Sequence, residues 1–135
     1  MTTVNTANKR RVDDFSRAVK DVSAATVDDL LAEYYNDDAV WNGFDPIGTL
    51  EGRDTLAAEF WRPLLEAFPD LQQNDHILFG NDFEGADWVL STGHLIGTFE
   101  NDWLGIPATG HATWLHYAAF HEFEDGDIIR TKYFL

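Results

Sequence analysis

The sequence predicts an α+β domain in which three N-terminal helices pack over a curved antiparallel sheet and enclose a largely apolar pocket. Two observations carry this expectation. Apolar residues recur at helical spacing as far as Phe68, and from Gln72 onward at the two-residue spacing of strands. The strand segments are joined by short turn-forming links, which give a meander and place helices first and strands after. At 135 residues the chain is long enough for one such domain and too short for two. Residues 1–11 read as a flexible tail and 12–135 as the domain.

Each element has its own signal. Val12, Phe15, Val19 and Val22 fall on one face and predict a helix over 12–22. A second helix begins after Thr26, whose side chain is placed to cap it, with Asp28 and Asp29 at the positive helix start. A short strand is expected at 39–41 within a loop-rich stretch. The third helix runs from about residue 54 to Phe68, with Leu56, Phe60, Trp61, Leu64 and Leu65 on its buried stripe. Pro63 removes a backbone donor and predicts a kink, and Pro69 ends the helix. Strands are expected near 72–79, 86–99, 111–123 and 128–135.

Composition limits the function. Hydrophobic residues are 44% of the chain and aromatics 14%, enough for a substantial core. Twenty-four acids against nine bases give a formal net charge of −15, which repels phosphate backbones and anionic lipid headgroups. Neither a nucleic acid nor a membrane partner is expected. There is no cysteine, which excludes disulfides, thiolate catalysis and zinc–sulfur sites. The N-terminus has no signal-like apolar segment, so a cytoplasmic location is expected.

The last hairpin assigns the faces. A three-residue turn, Glu124-Asp125-Gly126, would set Tyr117 opposite Tyr133 and Ala119 opposite Thr131, with His121 on the same face. Every charge of the two strands, Glu122, Arg130 and Lys132, then lies on the other face with Trp114, Phe120 and Phe134. Unpaired charges are almost never buried, so that second face should be the outer one. A two-residue turn would mix the sets. An aromatic and charged outer face predicts a homodimer through Trp114, Phe120 and Phe134, the alternative being that loops or the tail cover these rings.

The candidate chemistry is narrow. His111 and His121 share a strand face but stand about 33 Å apart, and His116 points away, so they form no ligand set and no metal is expected. No glycine pattern cradles phosphate and no serine sits in a nucleophile-elbow context, so no cofactor is expected either. What remains is a pocket. Tyr117, His121 and Tyr133 are the candidate acid–base and oxyanion groups, and Trp41, Phe60, Leu64, His94 and Thr131 the candidate ligand contacts. The alternative is that these are satisfied core groups.

The segment GHLIGTFENDWLGIPATGHATWLHYAAFHEFEDGDIIRTKYFL, with YYNDDAVWNGFDPIGTLEGRDTLAAEFWRPLLEAFPD upstream, resembles the SnoaL-like polyketide cyclases and predicted ester cyclases. The resemblance implies the cone-shaped α+β barrel of the ketosteroid isomerase and nuclear transport factor 2 superfamily, frequent dimers, no metal and no organic cofactor. It also implies ring closure of a polyketide-like carbonyl compound by an aspartate and a histidine on neighbouring strands. Counted from the Glu124-Asp125-Gly126 turn, those positions hold Tyr133 and Ala119 here. Two readings therefore stand side by side: an enzyme moving protons on a small apolar carbonyl compound, and a non-catalytic binding domain that has lost the dyad.

Overall fold

The computed structural model describes residues 3–135. Helix α1 spans Thr3–Ala18 and ends in a 3-10 turn, Val19–Asp21. It starts nine residues before the expected position, inside the stretch read as a tail, because Asn5 and Asn8 are buried along with Val12, Phe15 and Val19. Polar residues on the packed stripe concealed the first two turns. Helix α2 spans Val27–Tyr34 and buries Val27, Leu30, Leu31 and Tyr34, as their spacing predicts. Thr26 makes no cap bond to it; its Oγ1 instead accepts the Ser23 N–H at 2.9 Å.

Strand β1 (Tyr35–Asn42) and the short β2 (Thr49–Glu51) follow. Then come α3 (Arg53–Leu56), a π turn over Ala57–Trp61, and α4 (Arg62–Ala67). The widened turn sits directly before Pro63, which lacks an N–H and crowds the preceding turn, so the kink expected at this proline takes the form of a π segment.

The rest is sheet: β3 (Gln72–Phe83), β4 (Ala86–Thr98), β5 (Ala112–Glu124) and β6 (Asp127–Phe134). The spatial order is β2-β1-β6-β5-β4-β3. All pairings are antiparallel except β1 with β6, which is parallel, so the sheet is mixed rather than wholly antiparallel. The α1–α4 segments lie on its inner side, and one continuous core fills the space between.

The register of the last hairpin differs from expectation in an instructive way. The turn has two residues, Asp125 and Gly126, both with positive φ (52° and 85°), as a type I′ turn requires. Glu124 pairs with Asp127 and Phe123 with Ile128, but Glu122 pairs with Arg130. Ile129 is therefore an extra residue, a β-bulge, and it restores the parity the short turn would have changed. Tyr133, Thr131, Tyr117 and His121 do face inward. Tyr133, however, pairs with Ala119 and Thr131 with His121, two residues away from the expected partners.

A second bulge bends β3. Asp75 pairs with Gly93 and Ile77 with Thr92, leaving His76 as the extra residue. A Cβ on Gly93 would collide with the Asn74 carbonyl oxygen, so the close approach of β3 to β4 at this point needs glycine.

Candidate functional site

On the inner face the two bulges aim a set of polar side chains into the core. Gln73 and Asp75 come from β3, Ser91 from β4, Tyr117 from β5 and Ser16 from α1. Ser91 Oγ donates to Asp75 Oδ1 at 2.9 Å and lies 2.9 Å from the Tyr117 hydroxyl, which is left to donate to Ser91. Gln73 Nε2 reaches Tyr117 Oη at 3.2 Å, Asp75 Oδ1 at 3.3 Å and Ser16 Oγ at 2.9 Å. Ser16 in turn donates to the Val12 carbonyl. A proton path thus runs Tyr117–Ser91–Asp75. Ser91 is fully buried and Tyr117 is 4% exposed, so the path is screened from bulk water.

Asp75 is the group the sequence reading missed. Loss of solvent raises its pKa above the usual carboxylate range, against the nearby Ser16 hydroxyl and hydrogen bonds from Ser91 and Gln73 that lower it. Its Oδ2 has no partner, and neither has Gln73 Oε1. A cavity of about 310 Å³ between α1 and β3 opens on Asp75 and is lined by Asp13, Ser16, Arg17, Lys20, Gln73 and Asn74 among others. The approach to the carboxylate is therefore polar, not apolar as expected.

The predicted residues divide into three places. Tyr133 lies in the core between Trp41 and Phe60, with ring centroids 5.4 and 5.2 Å away, and stacks on Tyr117 at 5.9 Å with planes 10° apart. Its hydroxyl is buried without a partner, and burial first, then Tyr35 and Asp75, push its pKa well above that of a free phenol. Trp41, Phe60 and Leu64 are fully buried, and the aromatic rings pack against each other where the apolar pocket was expected. The two positions to which the resemblance assigns the acid–base pair, Tyr133 and Ala119, are direct cross-strand partners.

His121 and Thr131 form a separate chain. His121 Nδ1 lies 2.8 Å from Thr131 Oγ1, which lies 3.3 Å from the Tyr35 hydroxyl. Burial pushes the His121 pKa down to about 4 and that of Tyr35 up to about 12. Both stay neutral near pH 7, and neither shares a hydrogen bond with the Asp75 group. His94, expected in the pocket, is instead on the outer face, because even-numbered residues of β4 point outward.

That outer face is largely apolar. Trp114, Phe120 and Phe134 lie on it as expected, and Ile77, Phe79 and Phe83 of β3 join them, the last at 63% exposure. A groove of about 580 Å³ runs between Phe79, Phe83, Trp88, Leu90, Phe120 and Phe134. Among the described residues no group of three or more histidine, cysteine, aspartate or glutamate side chains is placed to hold a metal ion. No helix of the described residues is long and apolar enough to cross a membrane.

Helices on the concave side of a curved, mostly antiparallel six-stranded sheet define the nuclear transport factor 2-like α+β cone. Within that class the chain belongs to the SnoaL-like domain family, whose model matches residues 12–131. Among solved structures it is similar to a protein from Jannaschia sp. CCS1 provisionally named a SnoaL-like polyketide cyclase, at 22% identity and TM-score 0.81 over 99% of this chain and 88% of that one. It is also similar to AclR from Streptomyces galilaeus, provisionally named a hydroxylase, at 18% identity and TM-score 0.76 over 96% and 74% of the two chains. IdmH from Streptomyces antibioticus, provisionally named a polyketide cyclase, matches at 17% identity and TM-score 0.75 over 93% and 89%. At these identities the likeness is one of fold. No curated protein matches the chain.

Proposed function

We propose that this protein binds a small carbonyl compound and moves a proton on it, with Asp75 as the base. One observation carries the reading: a half-buried carboxylate with raised proton affinity and an unpartnered oxygen lines an open groove. In the step, Asp75 Oδ2 takes a proton from the carbon next to the carbonyl, and the C–H electron pair passes to the carbonyl oxygen as an enolate. Lys20, a cation lining the same cavity, is the donor for that oxygen. Tyr117 acts through Ser91 and holds the carboxylate in place, and His121 stays structural. Ring closure of a polyketide-like substrate is one use of such an enolate.

Asp75→Asn keeps the shape and the Ser91 contact but removes the base. Exchange of α-hydrogens on a cyclic ketone probe in heavy water, followed by NMR, should drop by about a hundredfold or more, in the range of general-base catalysis. Thermal stability should hold or rise, because a buried charge is removed. Equal exchange by both proteins would overturn the enzymatic reading and leave the binding domain.

A second proposal is the homodimer through the outer sheet face. On a chain of net charge −15, the outward side chains of β3 to β6 include Glu122, Arg130 and Lys132, with Arg130 3.5 Å from Glu122. Two copies so strongly charged can approach through the apolar rings of this face, where Arg130 and Lys132 offset part of the charge of Glu122, Glu124 and Asp127. Sedimentation equilibrium at micromolar concentration tests it, and a monomer would end it.

A further inference from the structure

Three imidazoles stand in a row across the middle of the outer face. His94 of β4 and His116 of β5 are cross-strand partners with ring centroids 4.2 Å apart. His76, the bulge residue of β3, lies on the other side of His94 at 4.4 Å, and its Nε2 is 2.8 Å from His94 Nδ1. Trp114 stacks edge-on against His94 at 5.3 Å. A hydrogen bond between two imidazole nitrogens needs one N–H and one bare lone pair, so it breaks if both rings carry a second proton. Adjacent cations at this spacing also repel. His94 is already a weaker base than a free histidine, through loss of solvent and then through His116 and His76.

Among the described residues no carboxylate of β3, β4 or β5 shares this stretch of the face. The outward neighbours are Asn74 and Ile77 on β3, Thr92 and Ile96 on β4, and Trp114 and Ala118 on β5. The charged groups of the face, Glu122, Glu124, Asp127, Arg130 and Lys132, sit at the far end of β5 and on β6, and Asp82 lies at the far end of β3. Asp75, next to His76 in sequence, points inward to Ser91. The row therefore lies between the Trp114 side and the Phe79–Leu90 side of an apolar surface, with no countercharge to accept its protonation.

We propose that a second copy of this chain seats on the outer face only while the row of His76, His94 and His116 is neutral, so that mild acid releases the pair. The inference rests on the dimer reading and adds its regulation. It also has a sign that net charge does not give. Acidification lowers the net charge from −15 toward zero, which weakens repulsion between copies and would strengthen any ordinary contact. Loss of association on acidification is specific to a buried row of bases.

Sedimentation equilibrium of the full chain at about pH 7.5 and about pH 5.5 tests this, with far-UV circular dichroism confirming the fold at both. Each imidazole of the row that must give up a proton on association weakens the dimer as the pH falls, and both protomers contribute. The dimer constant of the wild type should weaken by about tenfold. The double variant His94→Gln/His116→Gln should stay associated at the lower pH. A wild-type dimer of unchanged affinity at the two pH values overturns the inference and leaves the dimer standing. Equal loss in wild type and double variant also overturns it, since the titrating group is then elsewhere. A monomer at both pH values overturns the dimer reading itself and this inference with it.

Discussion

The inner side of the sheet shuts Ser91, Thr131, His121 and Tyr117 away from water, while the outer side leaves Ile77, Phe79, Phe83 and Trp114 in it. Both halves run against the ordinary sorting of residues by polarity, and a buried polar group or a broad exposed apolar patch is the informative departure from it. The inner departure is satisfied mostly bond by bond; Gln73 Oε1, Tyr133 Oη and the indole N–H groups of Trp41 and Trp61 stay unpartnered, and so does Asp75 Oδ2, where the chemistry is proposed. The outer departure is satisfied by nothing among the described residues, which is why a partner is proposed there. One sheet thus separates a site that must exclude water from a surface that must shed it.

The contrast can be broken most severely from the inside. Phe60→Ala removes a ring in contact with Trp41, Trp61 and Tyr133, and denaturant unfolding should show a loss of about 3–5 kcal/mol. A loss under about 1 kcal/mol would mean that the interior is loose there, as an open pocket would be.

The next largest effect is pH-dependent. His121 is held near pKa 4 in the fold, against about 6.5 unfolded, so the unfolded chain binds a proton in that window and the folded chain does not. The stability of the neutral, buried state is complete above pH 6.5 and is lost as pH falls toward 4, by up to about 3 kcal/mol. His121→Gln should flatten this fall relative to wild type. Parallel curves for the two proteins would show that His121 is not the titrating group.

The smallest effect belongs to the outer face. Phe79→Ser, measured below micromolar concentration, should change unfolding stability by no more than about 0.5 kcal/mol, while weakening self-association at higher concentration. A large loss of monomer stability would show that Phe79 belongs to a core and not to an interface.

Much of the fold was legible because periodicity and turn chemistry are local. The stripe of α2, the helix around Phe60 and Leu64 and the four long strands can each be read from spacing alone. The inward side of Tyr117, His121, Thr131 and Tyr133 was legible from charge segregation. Register was not, because it depends on a bulge at Ile129, a residue whose composition marks nothing. Asp75 was hidden for a related reason. In QQNDHILF the inward set is Gln73 and Asp75 before the bulge and Leu78 after it, so no single alternation covers the strand. Gly93, a glycine inside a strand, was the available sign of close backbone approach opposite Asp75. The parallel pairing of β1 with β6 joins residues about ninety positions apart, which no local pattern encodes.

The two bulges make the molecule a reading frame in space. Past Ile129, a regular ladder that paired Ile129 itself with Glu122 would turn Thr131 and Tyr133 to the outside and carry Arg130 and Lys132 into the core. Before Ile77, regular pairing of His76 with Gly93 would do the same to Asp75 and Gln73 while also turning one imidazole of the row inward. Substitutions at either place change one side chain, but closing a bulge with its residue kept exchanges whole surfaces. The lineage of this chain should therefore vary freely in the identity of Ile129 and hardly at all in the presence of the two bulges.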